Sequence, residues 1–414
     1  MRGSATRGAR PGRWSDMGDR SCSAKSLELA CGRNRLHRIP ASGRPAGLIS
    51  LFVALCTLAV GCASERSGDL RMVRDSIVGT LGEINPAGFG EVDVLAVVGR
   101  EEGAGLDLFG RLAGAALLPG GHIVALDDRL QRLVLLDSTA TPLNRVGRPG
   151  QGPGEFVQPV RLLPRGDHEV VLLDRGAMRI TGYAVVSDSL AILEETPIPY
   201  FADDFCFLDD EIYLLTGRGS GIVEVLDATR SLVRAFGTSP TFEDIQSPVL
   251  REAAQTTVAG GRIACDPVNR QIVVVLKFLP EIRAYSPEGG LLWEVAISDH
   301  LALTVVPTRD GQGTTFATDD PSGVHHRAMT AVISGPELIV QLAVLDWVHR
   351  DPGAREVDTR VLRLRDGVEL RRTLDWPLVG AVSDGLAVAY VNAPFPRLAL
   401  TSSGWLEPAD RGER

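Results

Sequence analysis

The densest grouping of side chains able to do chemistry is Asp319-Asp320-Pro321-Ser322-Gly323, followed after Val324 by His325-His326-Arg327. Carboxylates and imidazoles both suit divalent ions, so metal binding is chemically open to this stretch. Adjacent histidines have no metal-ligand spacing of their own, however, and a structural or solvated role is the stronger reading. Asp127, Asp137 and Asp174 each close an apolar run and invite a general-acid role. An aspartate in that place more often accepts hydrogen bonds from the backbone of the turn that follows. Gly150, Gly152 and Gly154 suggest a phosphate cradle, but neither a helical pattern nor Lys-Ser/Thr follows them, so no dipole-assisted anion site is expected there. Gly-x-Ser-x-Gly and His-Glu-x-x-His are absent from the sequence. No residue is assigned a catalytic or metal-ligating role, and no cofactor is expected.

The elements that must position such residues are short. The chain of 414 residues is 44% hydrophobic and 5% aromatic, with 45 Gly and 25 Pro, a balance that favours many short elements joined by tight turns. Residues 1–61 contain 10 Lys/Arg against 3 Asp/Glu, a net of +7; the remainder has 33 against 49, a net of −16. An acidic body is repelled by nucleic-acid phosphates, so a nucleic-acid partner is not expected. Lys25 and Lys277 are the two lysines, and the arginines are scattered singly with no basic run after the leader.

Repeated Arg up to Arg44, the apolar stretch Gly47 to Val60 and the small-residue junction Gly61-Cys62 follow the order of an export signal. The apolar stretch falls short of the ~20 residues that span a bilayer as a helix. Leu58, Ala59, Val60, Gly61 and Cys62 resemble the bacterial lipoprotein signal, with Ala59 where that family usually has Leu. The resemblance implies a thioether-linked lipid on Cys62, a protein held on a membrane without crossing it, and, with Ala63 in place of Asp, an outer-membrane address in a diderm cell. The expected organisation is a leader over 1–61, its start codon open to over-extension, then a lipidated tether over 62–87. A propeller over 88–405 and a polar tail over 406–414 complete it. Cys206 and Cys265 remain in the body, either as a disulfide or as separate buried thiols.

Downstream of the tether the chain repeats a pattern of apolar strand, Gly/Asp turn and second apolar strand. Val97 to Asp128 and Arg145 to Arg175 are the clearest copies, sharing Gly-Arg, a Gly-rich acidic segment ending at Phe109 or Phe156, and Leu-Leu-Pro. Central strands recur at Ile123, Val170, Ile212, Ile272, Leu338 and Leu386. The offsets between these starts are 47, 42, 60, 66 and 48 residues; a period near the ~40–50 residues of a propeller blade, with about four strands per unit, predicts an all-β, six-bladed β-propeller. Val92 to Val98 reads as an outer strand without a blade of its own, so it should close the last blade, whose other strands come from the C-terminal end. Gly147-Arg148-Pro149-Gly150-Gln151-Gly152-Pro153-Gly154-Glu155-Phe156 with Pro159 is similar to the connector of NHL-repeat propellers and of the bacterial six-bladed propeller lipoproteins related to them. That resemblance implies a ligand or partner surface at one mouth of the ring and no single activity.

In a four-stranded antiparallel blade, the inter-blade connectors and the loops between second and third strands emerge on one face, and loops on a rigid scaffold are where binding usually resides. The candidate binding face carries Arg148, Gln151, Glu155, Arg175, Lys277, His325, His326 and Arg327, and His300 and His349 should lie toward it. The function expected is that of an envelope binding or scaffolding monomer for a protein, peptide or glycan partner. The alternative is a metal-dependent propeller enzyme, a lactonase-like hydrolase or a lyase. Inner strands that are mostly small and apolar, with Asp203, Asp204 and Asp266 as their carboxylates, weigh against it.

Overall fold

The computed structural model describes residues 94–406 except 219–220, 311, 347–350, 375, 384 and 393–394, with backbone alone for 351–355. The leader, the tether with Cys62, residues 88–93 and the tail from 407 lie outside the described residues, and so does His349. All strands described below belong to the compact unit Ser64–Arg414.

The first strand, β1 (Val94–Val98), is held over for the last blade. Blade 1 is β2 to β5 (Leu112–Leu117, Ile123–Asp127, Arg132–Leu136, Pro142–Val146), and blade 2 is β6 to β9 (Pro159–Arg165, Glu169–Asp174, Arg179–Val186, Ser189–Pro197). Blade 3 is β10 to β13 (Asp204–Leu208, Glu211–Arg218, Gly221–Leu226, Leu232–Phe236). After a helix, α1 (Pro248–Ala259), blade 4 is β14 to β17 (Gly261–Asp266, Gln271–Leu276, Glu281–Tyr285, Leu291–Ala296). A hairpin, β18 and β19 (Leu303–Pro307, Thr314–Thr318), leads to blade 5, β20 to β23 (Val324–Ser334, Glu337–Asp346, Asp351–Arg363, Glu369–Thr373). Blade 6 takes β24 to β26 (Leu378–Ser383, Leu386–Val391, Arg397–Ser402) and is completed by β1, antiparallel to β26 with Val98 opposite Leu398. The molecule is an all-β, six-bladed β-propeller whose last blade is closed by an N-terminal strand, as the repeat predicts.

Burial follows from the stacking of blades. A middle strand has another blade against each of its faces, so its alternating side chains are all covered. Ile123–Asp127 and Gln271–Leu276 are buried throughout and read as unbroken apolar runs. Outer strands have a rim toward solvent: Val94, Leu95 and Val97 are exposed while Val98 is buried. Six apolar clusters fill the six blade interfaces, and the one between blades 6 and 1 joins Val98, Leu398 and Leu400 to Leu117, Ile123 and Val134. Leu398 is fully buried, so Leu398→Ala should cost about 2–5 kcal/mol by leaving a cavity at the closure.

Three segments depart from the repeat. The connector after Gly237 continues into α1, which starts where Ser247 accepts from the Leu250 N–H and Pro248 follows. The connector over Asp299 to Arg327 folds its β-branched runs into the hairpin, whose Val305 packs with Ile245, Ala254 and Val258 beside α1. In blade 5 the sequence places a loop between second and third strands over Val348 to Asp358, but from Asp351 onward the chain is strand, β22. Its Pro352-Gly353 resembles turn punctuation, but the strand beyond them pairs with β21 from Glu356 opposite Val344 to Arg363 opposite Glu337.

Candidate functional site

The inner strands β2, β6, β10, β14, β20 and β24 run side by side around the axis. Register places three of their charged residues at one level: Arg161 opposite Leu173, Asp204 opposite Leu215 and Arg262 opposite Val275, the matching residues of three second strands. Asp204 of blade 3 therefore sits between an arginine from each flanking blade. Arg161 Nε lies 3.0 Å from Asp204 Oδ1, and Arg262 Nη1 lies 3.9 Å from Oδ2. The carboxylate also accepts from the backbone N–H groups of Phe205 at 2.8 Å and Ile263 at 3.2 Å. Complete burial pushes the Asp204 carboxyl up, against the pull of the two arginines and the two amides. Arg262 donates to the Met329 carbonyl at 2.5 Å, and Arg161 to the Ala331 carbonyl at 3.5 Å. Blade 5 stands opposite blade 2 in a ring of six, so Arg161 reaches across the axis at this depth.

One level nearer the connector face lie Arg111, Arg175, Asp203, Lys277 and Arg327. Arg175 and Lys277 each follow a second strand by one residue, and their N–H groups bond the carbonyls of Gln158 and Gly260. Both cations converge on Asp203: Arg175 Nη1 is 2.5 Å from Oδ1, and Lys277 Nζ bonds Oδ2. Gly260 makes room for that pair, because a Cβ there would fall 1.8 Å from Asp203 Oδ2. Burial works against the Asp203 charge, but Lys277 and Arg175 outweigh it and hold the carboxyl below its usual range. Lys277 is lowered, first by burial and further by Arg327 and Arg175, although Asp203 favours its charge. Arg111 forms a two-pronged pair with Asp128, at 2.8 and 2.5 Å. Arg327 is exposed and makes no hydrogen bond or ion pair among the described residues. Protein nevertheless surrounds it, and this partial burial, then Arg262, Arg175 and Arg111, lowers its guanidinium while Asp203 opposes. Among the described residues around this mouth six cations meet three carboxylates, in a chain whose net charge is −9.

Of the residues singled out in the sequence, Arg175, Lys277 and Arg327 are thus brought together. Arg148, Gln151 and Glu155 belong to a separate, self-contained connector. Arg148 donates to Glu155 Oε1 at 2.9 Å, the Gly152 N–H donates to Oε2 at 2.9 Å, and Arg179 bonds the carbonyls of Gly152 and Glu155. The Gly152 amide and then Arg148 hold the Glu155 carboxyl below its usual range. Gly147, at φ 97°, lies so close to Phe156 that a Cβ would meet the ring at 2.4 Å; that is the job of this glycine.

His325 and His326 are buried beneath the hairpin. The His325 ring packs on Phe278, and its Nδ1 lies 3.3 Å from the Gly323 carbonyl. His326 Nδ1 accepts from the Leu301 N–H at 3.0 Å, its ring 5.0 Å from that of His300, which bonds the Phe278 carbonyl at 3.0 Å. Burial lowers all three, His300 to about 4. Asp320 is occupied in its own turn, accepting from the Ser322 N–H at 2.8 Å. Among the described residues no group of three or more His, Cys, Asp or Glu is placed to hold a metal ion. Asp127 and Asp174 are buried turn acceptors: Asp127 takes the N–H groups of Gly110, Arg111 and Leu130, and Asp174 those of Val157, Gln158 and Ala177. Cys206 and Cys265 form a disulfide joining the inner strands of blades 3 and 4.

Sequence reasoning passed over Arg111, Arg161 and Arg262. The signal was present in the inner strands themselves, as Val160-Arg161-Leu162 and Gly261-Arg262-Ile263. One charge per blade looks scattered along the chain and becomes a cluster once the ring closes.

No family model matches this chain, and no curated protein matches it. Among solved structures it is similar to a protein described as exported from Bacteroides fragilis, at 10% identity and a TM-score of 0.48, over 76% of this chain and 98% of that one. A member of the DUF4221 family from Bacteroides vulgatus gives 11% identity and 0.48, over 75% and 97%. A streptogramin B lyase gives 12% and 0.39, over 70% and 93%. At these identities and scores no functional step is drawn from them. Among the described residues no helix is long and apolar enough to cross a membrane.

Proposed function

We propose that the mature chain is an exported binding module of the cell envelope, held by a lipid on Cys62, that presents its connector face to a protein, peptide or glycan partner. The observation that carries the reading is the basic mouth on that face, where Arg327 stays solvent-accessible with no ion partner among the described residues. Cations concentrated in a recess focus the local field and favour encounter with a complementary partner. Export is supported by the leader and by the Cys206–Cys265 bridge, since disulfides persist in oxidising compartments. Anchoring is supported by Gly61-Cys62, because two or more buried acyl chains hold a protein stably on a bilayer.

Two experiments test this. Cys62→Ser should abolish acyl labelling and membrane retention, and unchanged retention would overturn the anchor. A photo-crosslinking residue placed at Arg175 should give an envelope product in cells that the same residue at His122, on the opposite face, does not. Equal products from both faces would overturn the binding role of the connector face.

A further inference from the structure

Resting on the connector face as the binding surface, we infer that the channel mouth is an oxyanion site for a ligand bearing two or more negative charges, carboxylate or phosphate, with Arg327 as its principal contact. Three features of the site converge on that chemistry.

The first is stoichiometry. Among the described residues Asp128 answers Arg111, Asp203 is shared by Arg175 and Lys277, and Asp204 is shared by Arg161 and Arg262, which leaves Arg327 with no carboxylate of its own. The described mouth therefore holds three more cations than carboxylates. The second is geometry. Arg327 enters from blade 5 and interacts electrostatically with Arg175 of blade 2 and Arg111 of blade 1, so the uncompensated charge is gathered from several blades around the ring axis. A guanidinium presents a planar fork of donors that matches a carboxylate or phosphate by two parallel hydrogen bonds. The third is depth. Arg161 and Arg262 are tied to the carbonyls of Ala331 and Met329, which places a fixed positive floor beneath the mouth and stops a ligand there. A multivalent oxyanion would meet the open Arg327 guanidinium at the rim and a positive potential below. A neutral ligand would meet only the desolvation cost of the cations.

Isothermal titration of the processed full-length protein at about 20 mM salt, where screening is weak, tests this with citrate, inorganic pyrophosphate and neutral maltotriose as probes. At least one of the two anions should bind with a Kd below about 1 mM, weakening as salt rises, while maltotriose should not. The stronger anion identifies the oxyanion class. Arg327→Gln should weaken binding about tenfold or more, as expected for loss of a charge-assisted pair, and Arg327→Lys should recover part of it. Arg148→Gln, on the separate connector, should change it less than about twofold. No anion binding by protein that melts cooperatively, or binding that Arg327→Gln leaves unchanged, overturns the oxyanion site. The two readings fail separately. A face-specific crosslink from Arg175 that survives both excess citrate and Arg327→Gln sinks the oxyanion site and keeps the binding module. Anion binding with equal crosslinks from both faces does the reverse.

Discussion

Two clusters of ionisable residues lie at the connector face, and they differ in how the fold has provided for them. The histidines 300, 325 and 326 are gathered beneath the hairpin, where ring contacts and backbone groups meet them from inside the protein, His300 Nδ1 being the buried ring atom left without a hydrogen-bond partner among the described residues. The cations of the mouth arrive from four blades, outnumber their carboxylates among the described residues and leave Arg327 open to solvent. Adjacency in the chain made a piece of core; dispersion along the chain made a charged recess. A buried group with its partners built in has little left to offer a ligand, whereas a charge without a partner retains its electrostatic demand.

The sharpest way to probe this contrast is to remove a carboxylate from beneath the mouth. Asp204→Ala leaves Arg161 and Arg262 without their buried counter-charge and should cost about 3–5 kcal/mol in chemical denaturation. A loss below about 1 kcal/mol would mean that the floor is as solvent-screened as a surface pair. Next comes acid. The folded-state pKa of His300 is about 4 against an ordinary 6.5, so the unfolded chain takes up protons first. Stability from this group is full above pH 6.5 and falls as the pH drops toward 4, by about 3 kcal/mol in all. Melting at pH 7.5 and 4.5 should show the loss, and His300→Gln should shrink the difference. Asp358 and Arg360, which face His300, stay in place as internal controls.

His326→Phe keeps the ring contact but strands the Leu301 N–H, for an expected cost of about 1–3 kcal/mol by denaturation. Arg327→Gln should have the smallest effect on stability, within about 0.5 kcal/mol, because the side chain is exposed and the like-charge repulsion it relieves offsets the lost attraction to Asp203. A large destabilisation by Arg327→Gln would place this residue in the histidines' class and erase the comparison.

The ring was legible in the sequence because each blade repeats the same alternation of apolar strand and Gly/Asp turn, and because Val92 to Val98 had no blade of its own. Closure of β1 on β26 follows from that bookkeeping alone. The helix and the hairpin were not legible, since each is an insertion in a connector and obeys no repeat. For the mouth, Arg175, Lys277 and Arg327 could be placed on the correct face by topology. Their convergence on Asp203 depends on register across blades, and Arg161 and Arg262 were hidden by sitting in strands that are otherwise small and apolar. Spacing along the chain is a poor guide where a cluster is assembled around an axis.

The pairing of Val94 with Thr401 sets an order in time as well as in space. During synthesis, the strand that completes blade 6 waits while almost the whole chain emerges, because its partner is made last. Contacts so distant in sequence slow folding, and until they form, both the β26 edge and the apolar side of Val98 stay uncovered. Under the exported reading proposed above, that delay keeps the chain short of its native form until the final strand has been threaded through, on the side where the disulfide can also be made.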